Sequence, residues 1–332
     1  MTAISTISGS RIAVIIVNYN GGDYLKHCLN RLTSQTRAPD RVIVVDNNSF
    51  DGSNEAVTRE FPDIELLQLD RNAGFAAANN RAFETLCGEQ WVALLNPDTR
   101  PTDTWLEELE SAIYKNPDCD VFASKLMNAS DSDRIDGAGD VYHVCGLSWR
   151  RHHGMSSSVA KSDSDPVFSG CGAATLYRLS SVLSAGGFDE SFFCYFEDVD
   201  LVFRMRLYGS KCIYVESSVV LHHGSGLTGK DSDFTVYHGH RNLVWTFVKN
   251  MPGYSFYLYL PQHILLNIVS LIHYSLKGRA SVIFRAKWDA IKILSSVFRE
   301  RKRIQSLKSV KVTDVTCYMV KGLFRPYLSR FR

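Results

Sequence analysis

Residues 11–22 read RIAVIIVNYNGG, a run of apolar and mostly β-branched side chains that ends in Asn-Tyr-Asn and two glycines. This pattern predicts a buried strand and a loop, and the apolar spacing that continues to Leu32 predicts a helix. The same order of strand, loop and helix recurs three times, with strands predicted at 41–46, 64–69 and 91–96. Four βα units in series predict an α/β fold with a doubly wound, mostly parallel sheet and flanking helices.

Polar side chains close each of the four predicted strands. In a doubly wound sheet, ligands bind beyond the carboxyl ends of the strands, so these residues are expected to line a site. They are Asn18, Tyr19 and Asn20 after the first strand, residues 46–49 after the second, 70–72 after the third and 96–98 after the fourth. Carboxylates and several amides therefore converge on one edge.

Two of these carboxylates have a chemical and a structural interpretation. Asp98 is a hard oxygen ligand of the kind that holds Mg²⁺ or Mn²⁺ beside phosphates, but Asn-Pro-Asp also suits a turn. Asp46 can accept the imide N–H of uracil or thymine, with Tyr19 as a stacking face, although residues 46–53 are also turn-prone. The residues alone leave both alternatives open.

A second group of candidates follows later in the chain. The aromatic run 192–196 precedes Glu197 and Asp198, so these carboxylates are expected at the rim of a partly dry pocket, where one can abstract a hydroxyl proton. Acidic residues are also common in a first helical turn, which is the alternative. His222 and His223 follow another predicted strand, where an imidazole can ligate a metal or be structural.

Several sequence motifs of other enzyme classes are absent, and one that is present lacks the neighbouring residues that it requires. Residues 224–229, GSGLTG, match G-x-G-x-x-G, but no acid follows at the required distance, so we expect a loop that closes over a ligand and no dinucleotide site. No Walker A motif, nucleophile elbow or zinc spacing occurs. The eight cysteines form no C-x-x-C pair, and MTAISTISGS at the amino terminus is no export signal. We expect reduced thiols in a chain that faces the cytoplasm.

Charge is distributed unevenly, although the whole chain carries only +2. Residues 277–332 hold 15 Lys and Arg against 3 Asp and Glu, and residues 250–276 hold no charged side chain. A basic tail binds nucleic acid or an anionic membrane surface, and the apolar run before it favours the membrane. His263, Asn267 and Ser270 recur at helical spacing, which favours a helix in the membrane interface over a spanning or a buried one.

Composition divides the chain into a flexible terminus at 1–10, an α/β domain at 11–248 and a basic, helical, membrane-associating region at 249–332. Two Ser/Asp-rich stretches, 128–140 and 156–166, are expected to be exposed loops.

Six ordered motifs together resemble the family 2 glycosyltransferases of GT-A fold, and among them the rhamnosyltransferase-like branch. They are VIIVNYN (14–20), VVDNNSFDGS (44–53), RNAGFAAANN (71–80), LLNPDT (94–99), GGFDESFFCYFEDVDLVFR (186–204) and LHHGSG (221–226). The resemblance makes residues 11–248 the glycosyltransferase domain.

The resemblance implies a role for each matching residue. A nucleotide diphosphate sugar would be bound by Asn18, Tyr19, Asn20, Asp46, Arg71, Gly74, Asn79 and Asn96. Asp98 would hold Mg²⁺ or Mn²⁺ with His222, because this chain has Asn-Pro-Asp where many relatives have Asp-x-Asp. Asp198 is the implied catalytic base, and Asp200 is expected to be structural. The surroundings of the sugar and the acceptor would include Gly170, Phe188, Tyr195 and Glu197.

The implied reaction is an inverting transfer of a sugar onto a hydroxyl of a polyprenyl-diphosphate-linked saccharide in bacterial surface polysaccharide synthesis, such as that of O-antigen. dTDP-β-L-rhamnose is the first expected donor, and a UDP-sugar carrying galactofuranose, N-acetylglucosamine or glucose is the alternative. Such an enzyme would be peripheral to the cytoplasmic face of the plasma membrane and would bind no nucleic acid. A sugar nucleotidyltransferase is less favoured, because residues 17–27 lack a basic, glycine-rich loop, and a non-catalytic nucleotide-sugar-binding protein is a further alternative.

Overall fold

The computed structural model describes residues 10–159, 164–224 and 232–328. Its strands are β1 (Ile12–Asn18), β2 (Arg41–Asp46), β3 (Glu65–Gln68), β4 (Trp91–Leu95), β5 (Thr99–Pro101), β6 (Val121–Asn128), β7 (Asp131–Ala138), β8 (Asp140–His143), β9 (Ser148–Arg150), β10 (Ala174–Arg178), β11 (Cys212–His222) and β12 (Met319–Val320). Its helices are α1 (Gly22–Thr33), α2 (Ser53–Glu60), α3 (Gly74–Phe83), α4 (Trp105–Lys115), α5 (Leu179–Ser184), α6 (Glu197–Leu207), α7 (Asp233–Asn250), α8 (Ser255–Leu276), α9 (Ala280–Lys292), α10 (Leu294–Ser306), α11 (Val312–Thr316) and α12 (Arg325–Leu328). The strands and helices predicted for the first four βα units are all present.

The main sheet has the strand order β3-β2-β1-β4-β10-β6-β11-β5, and β7 pairs with β6. Neighbours from β3 to β4 are parallel, whereas β10 is antiparallel to both β4 and β6. β11 is parallel to β6 and antiparallel to β5. The parallel, helix-covered arrangement is therefore confirmed for the first half. The second half is mixed, because β10 is antiparallel to both of its neighbours and β7 returns antiparallel to β6 after a short turn.

Alternate residues of the central strands pack on opposite faces of this sheet. Val14 and Ile16 of β1 belong to a core that α1 and α4 cover, and this core includes Trp105. Ile15 belongs to the core on the other face, where α3 and α6 contribute residues such as Leu201. This burial of both faces explains the continuous apolar runs in the sequence. Because β1, β2 and β4 are parallel, their carboxyl ends lie at one edge of the sheet.

The prediction of an exposed loop over residues 128–140 is wrong. Residues 131–138 form β7, which pairs antiparallel with β6. Ile135 and Ala138 are buried in the core, and their burial outweighs the polar composition around them. In the second Ser/Asp-rich stretch, residues 157–159 form one 3₁₀ turn. Residues 160–163 lie outside the described part of the chain, as do 1–9 and most of the 224–229 motif.

The C-terminal helices share a hydrophobic core with the sheet-bearing part. Phe256 of α8, Ala290 of α9 and Val297 of α10 are buried in one cluster with Tyr142 and Phe203. β12 extends the contact by pairing with β8. The segment after residue 250 therefore packs directly against the elements that precede it.

The polar face of α8 points into the protein, which corrects the expectation of a polar stripe at the membrane interface. His263 is 4% exposed, donates from Nδ1 to the Cys145 carbonyl (2.8 Å) and stacks on Phe247. Ser270 is also buried. The outward face is apolar and consists of Tyr257, Leu258, Ile264, Leu265, Ile268, Ile272 and Leu276. In length and composition, α8 also meets the requirements of a membrane-spanning helix.

Candidate active site

A buried polar network joins the carboxyl ends of β1 and β2. Asn18 pairs with Asp46 in the parallel register, and its amide nitrogen donates to the Asp46 carboxylate (3.0 Å) and to the Ser53 hydroxyl (2.8 Å). Asp46 is 2% exposed and also accepts a backbone N–H from the following turn (3.2 Å). Tyr19 is 41% exposed and its ring lies edge-on to that of Phe50, at 6.3 Å. The network fixes the strand ends and leaves Tyr19 accessible.

The pairing of β5 with β11 brings a histidine to Asp98. His222 lies opposite Thr99, and its Nε2 is 3.5 Å from Asp98 Oδ1. Both side chains are buried. His223 donates its backbone N–H to the Asp98 carbonyl (3.0 Å), while its ring packs against Tyr24. Of the two predicted histidines, His222 is the one whose ring lies beside the Asp98 carboxylate.

Residues 192–196, called here the aromatic loop, have a strained backbone. Phe193, Tyr195 and Phe196 have φ values of 64°, 68° and 70°, which bulky side chains rarely adopt. Asn242 of α7 is fully buried, and its amide nitrogen donates to three carbonyl oxygens of the loop at 2.7, 2.9 and 3.0 Å. These hydrogen bonds hold the loop in its strained conformation.

The first turn of α6 presents two carboxylates. Asp198 is half-buried, and its oxygens accept the backbone N–H groups of Gly172 (2.8 Å) and Val199 (2.7 Å). Burial raises the pKa of Asp198, although these hydrogen bonds and the charge of Arg150 act in the opposite direction. Burial also raises the pKa of Glu197, and repulsion from Asp198 adds to that effect. A carboxylate with a raised pKa is suited to accept a proton near neutral pH.

Asp200, two residues further along α6, has a different environment. It is 0% exposed and is bound by Arg204 (2.9 Å), Lys249 (3.0 Å) and Asn250 (2.7 Å). With all these partners, Asp200 stabilises the packing of α6 against α7.

These elements surround a cavity of about 400 Å³. Of the residues predicted from the sequence, the cavity is lined by Tyr19, Gly74, Asn96, Asp98, Tyr195, Glu197, Asp198 and His222. Trp149, Phe193 and Phe234 supply aromatic walls, and Arg150 is the one Lys or Arg among the described lining residues. Carboxylates, an imidazole and aromatic rings around one hollow suit a polar ligand with an apolar face.

The other predicted nucleotide-binding residues lie outside this wall. Arg71 lines an adjoining hollow of about 560 Å³. Asn20 has a positive φ of 53°, and its side-chain oxygen accepts the Phe50 backbone N–H (2.9 Å). Asn79 is buried in α3 and donates to the Phe75 carbonyl (2.9 Å). Of these three, Arg71 is the one that faces a hollow beside the cavity.

Two residues predicted near the sugar are packed elsewhere. Phe188 is buried in the core, where its ring stacks on that of Phe83 at 5.9 Å. Gly170 packs so tightly that an added Cβ would lie 2.4 Å from the Thr175 hydroxyl oxygen. Neither lines the cavity, in contrast to Tyr195 and Glu197.

Asp140, Trp149 and Arg150 line the cavity but were not predicted. Asp140 is buried, and burial together with repulsion from Asp198 raises its pKa. The available signal was the pair of acids in DGAGD at 136–140, followed by two arginines at 150 and 151. We did not predict these residues, because residues 128–140 were interpreted as an exposed loop.

The family model for glycosyl transferase family 2 matches residues 13–183, more than half of the chain. The chain belongs to glycosyltransferase family 2. The N-acetylglucosaminyl-diphospho-decaprenol L-rhamnosyltransferase of Mycobacterium tuberculosis is 30% identical to it over 245 residues, which cover 66% of this chain and 78% of the relative. The galactofuranosyltransferase GlfT1 of Mycolicibacterium smegmatis is 28% identical over 200 residues, which cover 58% and 65%.

The fold of this glycosyltransferase also resembles solved structures. A crystal structure of GalNAc-T7 with UDP, GalNAc and Mn²⁺ superposes with a TM-score of 0.60 at 15% identity, covering 77% of this chain and 51% of that one. At this identity the likeness concerns the fold alone. The GT-A fold and the glycosyltransferase activity expected from the sequence motifs are confirmed.

Two side chains of this glycosyltransferase fit a divalent cation. The Asp98 carboxylate and the His222 imidazole are adjacent, and Mg²⁺ and Mn²⁺ accept such oxygen and nitrogen donors. In the ranges that the structure describes, no group of three or more His, Cys, Asp and Glu side chains is arranged to hold a metal. A cation held by this pair would need further oxygen ligands, which a bound diphosphate would supply.

Proposed function

We propose that this glycosyltransferase inverts the anomeric centre of its donor sugar and that Asp198 is the catalytic base. The observation that carries the proposal is the Asp198 carboxylate, which lines the cavity, is held by two backbone N–H groups and has a raised pKa. Asp198 takes the proton of the acceptor hydroxyl as that oxygen bonds to the anomeric carbon. The bond from this carbon to the diphosphate breaks on the opposite face, and the diphosphate leaves with the electron pair.

Asp98 and His222 would hold Mg²⁺ or Mn²⁺, which supplies positive charge for the leaving diphosphate. The proposed nucleoside site lies at the ends of β1 and β2, where Tyr19 offers an exposed ring and Asp46 a carboxylate. Arg71 lines the adjoining hollow and would bind a phosphate or ribose there. In this proposal, the ends of β1 and β2 bind the nucleoside, the segment after β3 binds a phosphate or the ribose, and the segment after β4 binds the metal and the diphosphate.

The proposed donor is dTDP-β-L-rhamnose, because the Mycobacterium tuberculosis relative is named an L-rhamnosyltransferase. The name of that relative also supports a polyprenyl-diphosphate-linked saccharide as acceptor. UDP-galactofuranose is the second candidate donor, because GlfT1 is named a galactofuranosyltransferase.

Donor choice is tested by thermal unfolding with dTDP-rhamnose, UDP-galactofuranose and UDP-N-acetylglucosamine, each with Mn²⁺ or Mg²⁺. A ligand that binds the folded state raises Tm, so the true donor is expected to give the largest shift. Transfer is then measured on a short-chain polyprenyl-diphosphate N-acetylglucosamine. A larger shift with a UDP-sugar than with dTDP-rhamnose would replace the rhamnosyl assignment.

Asp198→Asn tests the base. We expect kcat to fall by about 10²- to 10⁴-fold, the usual contribution of a general base, while the Tm shift with donor is retained. Asp165→Asn is the matched control, because Asp165 pairs with Arg151 (3.2 Å) away from the cavity and is 42% exposed. Undiminished turnover by Asp198→Asn would refute the assignment, and loss of donor binding would show a structural role instead.

We also propose that the apolar outer face of α8 docks on an anionic membrane at the cytoplasmic face of the plasma membrane. Seven large apolar side chains share this face, although a helix on a soluble protein normally exposes polar residues there. The basic segment 277–332 follows immediately and supplies charge complementary to anionic lipids.

The carboxyl end of α8 also lies near the cavity wall. Tyr274 of α8 packs with Val236 of α7 and Ile283 of α9, and Phe234, which lines the cavity, is two residues before Val236. A membrane along α8 would therefore bring a lipid-linked acceptor close to Asp198.

Ile268→Glu combined with Ile272→Glu tests this surface in the full chain. We expect flotation with phosphatidylcholine and phosphatidylglycerol vesicles to fall more than about tenfold, because each half-exposed isoleucine contributes about 1 kcal/mol when buried in lipid. Leu183→Glu is the control, since Leu183 is 54% exposed on α5. Undiminished flotation would refute the surface, and loss of a dimer with flotation unchanged would identify a second copy of the chain as its partner.

A further inference from the structure

The imidazole of His222 lies between two carboxylates. Its Nε2 is 3.5 Å from Asp98 Oδ1, and its Nδ1 is 2.6 Å from Asp136 Oδ2. All three side chains are 7% exposed or less. Asp136 belongs to β7 and does not line the cavity, so it contacts the imidazole from the side away from Asp98.

The Asp136 carboxylate is itself fixed in place. The Arg150 guanidinium donates to Oδ2, the same oxygen that contacts His222. His153 Nδ1 donates to the Asp136 carbonyl (2.8 Å) and lies 3.4 Å from Oδ1. Because these groups restrain its rotation, Asp136 presents a defined acceptor to His222.

A neutral imidazole carries one proton, and the nitrogen without the proton is the one that can bind a metal. With Nδ1–H donated to Asp136, the lone pair is on Nε2 and points towards Asp98. Without Asp136, the remaining acceptor is Asp98, and a proton on Nε2 would occupy the place of the cation. Partners that fix the tautomer in this way are a recurrent feature of histidine metal ligands.

We propose that Asp136 is a positioning residue that fixes His222 in the Nδ1–H tautomer and thereby prepares Nε2 for the divalent cation. This inference rests on the proposed metal dependence. It gives β7 and the DGAGD segment a function that is separate from the base and from donor recognition.

The test compares Asp136→Ala with wild type and with His222→Ala in the full-length protein. Mn²⁺ affinity is measured by electron paramagnetic resonance in the presence of dTDP and, separately, UDP. We expect Asp136→Ala to weaken Mn²⁺ binding about 10- to 100-fold, Asp136→Glu to restore part of it, and Asp165→Ala to leave it unchanged. Binding of the nucleotide without metal is expected to stay within about twofold of wild type.

A second readout needs no metal. In ¹⁵N-histidine-labelled protein at alkaline pH, long-range ¹H–¹⁵N spectra distinguish the two neutral tautomers, and His222→Ala identifies the signals of His222. Wild type is expected to show Nδ1–H, and Asp136→Ala is expected to show Nε2–H, directed at Asp98.

Unchanged Mn²⁺ affinity in Asp136→Ala, with affinity lost in His222→Ala, would overturn the inference while leaving the metal site intact. An unchanged His222 tautomer in Asp136→Ala would also overturn the inference. So would a loss of metal-free nucleotide binding as large as the loss of Mn²⁺ binding, because the substitution would then disturb the whole site. If wild type failed to bind Mn²⁺ in the presence of dTDP and also in the presence of UDP, the proposed metal dependence would itself fail, and this outcome is distinguishable from the others.

Discussion

Replacing Lys249 with methionine is expected to destabilise the protein in a pH-dependent way. The Lys249 side chain is 3% exposed, and its Nζ contacts the carboxylates of Asp189 and, at 3.0 Å, of Asp200. Asp189 precedes the aromatic loop, and Asp200 lies in the first turn of α6. The lysine therefore ties α7 to two parts of the active site.

The size of the effect has two contributions. Burial by itself raises the pKa of Asp189, but attraction and hydrogen bonding to Lys249, together with hydrogen bonds from Ser191, outweigh burial and hold the pKa at about 2. Because this lies below the ordinary value of 3.8, the ionised Asp189 contributes about 2 kcal/mol above pH 4, and the contribution is lost as pH falls towards 2. Asp200 keeps Arg204 as a partner, so the loss there adds about 1–2 kcal/mol. The sum agrees with the roughly 3–5 kcal/mol typical of removing one member of a buried ion pair.

Urea unfolding at about pH 6 and about pH 3 measures the effect and its pH dependence. We expect Lys249→Met to lose about 3–4 kcal/mol at the higher pH and less at the lower one. Lys292→Met is the control, because Lys292 is 55% exposed and pairs with Asp289 at the surface, where an ion pair contributes below about 1 kcal/mol. A loss under about 0.5 kcal/mol for Lys249→Met, or one that is independent of pH, would refute this reasoning.

Three further predictions concern the cavity wall. Gly74 has a φ of +85°, and Gly74→Ala would add a Cβ 2.6 Å from a carbonyl oxygen of the aromatic loop, so this variant should have a lower Tm and a lower kcat. Gly239 lies in open space on α7, so the control Gly239→Ala should raise the free energy of unfolding by up to about 1 kcal/mol. Asn242→Ala should lower stability by about 2–3 kcal/mol in urea unfolding and kcat by at least about tenfold, because the strained loop loses its donors; an unchanged kcat would contradict this. The acidic limb of the kcat/KM profile should lie above the ordinary carboxyl range, because burial raises the pKa of Asp198.

The first four βα units could be predicted because β1, β2 and β4 are largely buried and read as apolar runs, while the edge strand β3 still contains the apolar pair Leu66 and Leu67. The order of the parallel strands accounts for the place of Asp98, after the end of β4. Asp198, at the start of α6, was instead expected in the site from the aromatic run before it and from the motif resemblance. Asp136 and Asp140 could not be found in this way, since their positions depend on the pairing of β7 with β6 and of β8 with β9. The polar composition of this Ser/Asp-rich stretch does not indicate strands, so the sequence alone does not predict these pairings.

The helix α8 shows a different limit of sequence reasoning. Helical spacing correctly grouped His263, Asn267 and Ser270 on one face, but spacing cannot say whether that face meets water, lipid or protein. The choice depends on what α8 packs against. Here the partners are the Cys145 carbonyl and the Phe247 ring, so the polar face packs inside the protein and the apolar face is left outside.

The packing of α7 shows how the C-terminal helices support the candidate active site. α7 supplies Asn242, which holds the strained aromatic loop, and Lys249, which neutralises a buried acid on α6. α7 in turn packs on α9 and α10, and its Trp245 donates to the Ala290 carbonyl of α9 (3.1 Å). A chain that ended near residue 250 would lose this support and expose a hydrophobic core, so its inactivity would say nothing about membranes. The proposed membrane binding can be tested separately from catalysis on the outer face of α8, where exposed side chains such as Ile272 contribute little to the packing of the candidate active site.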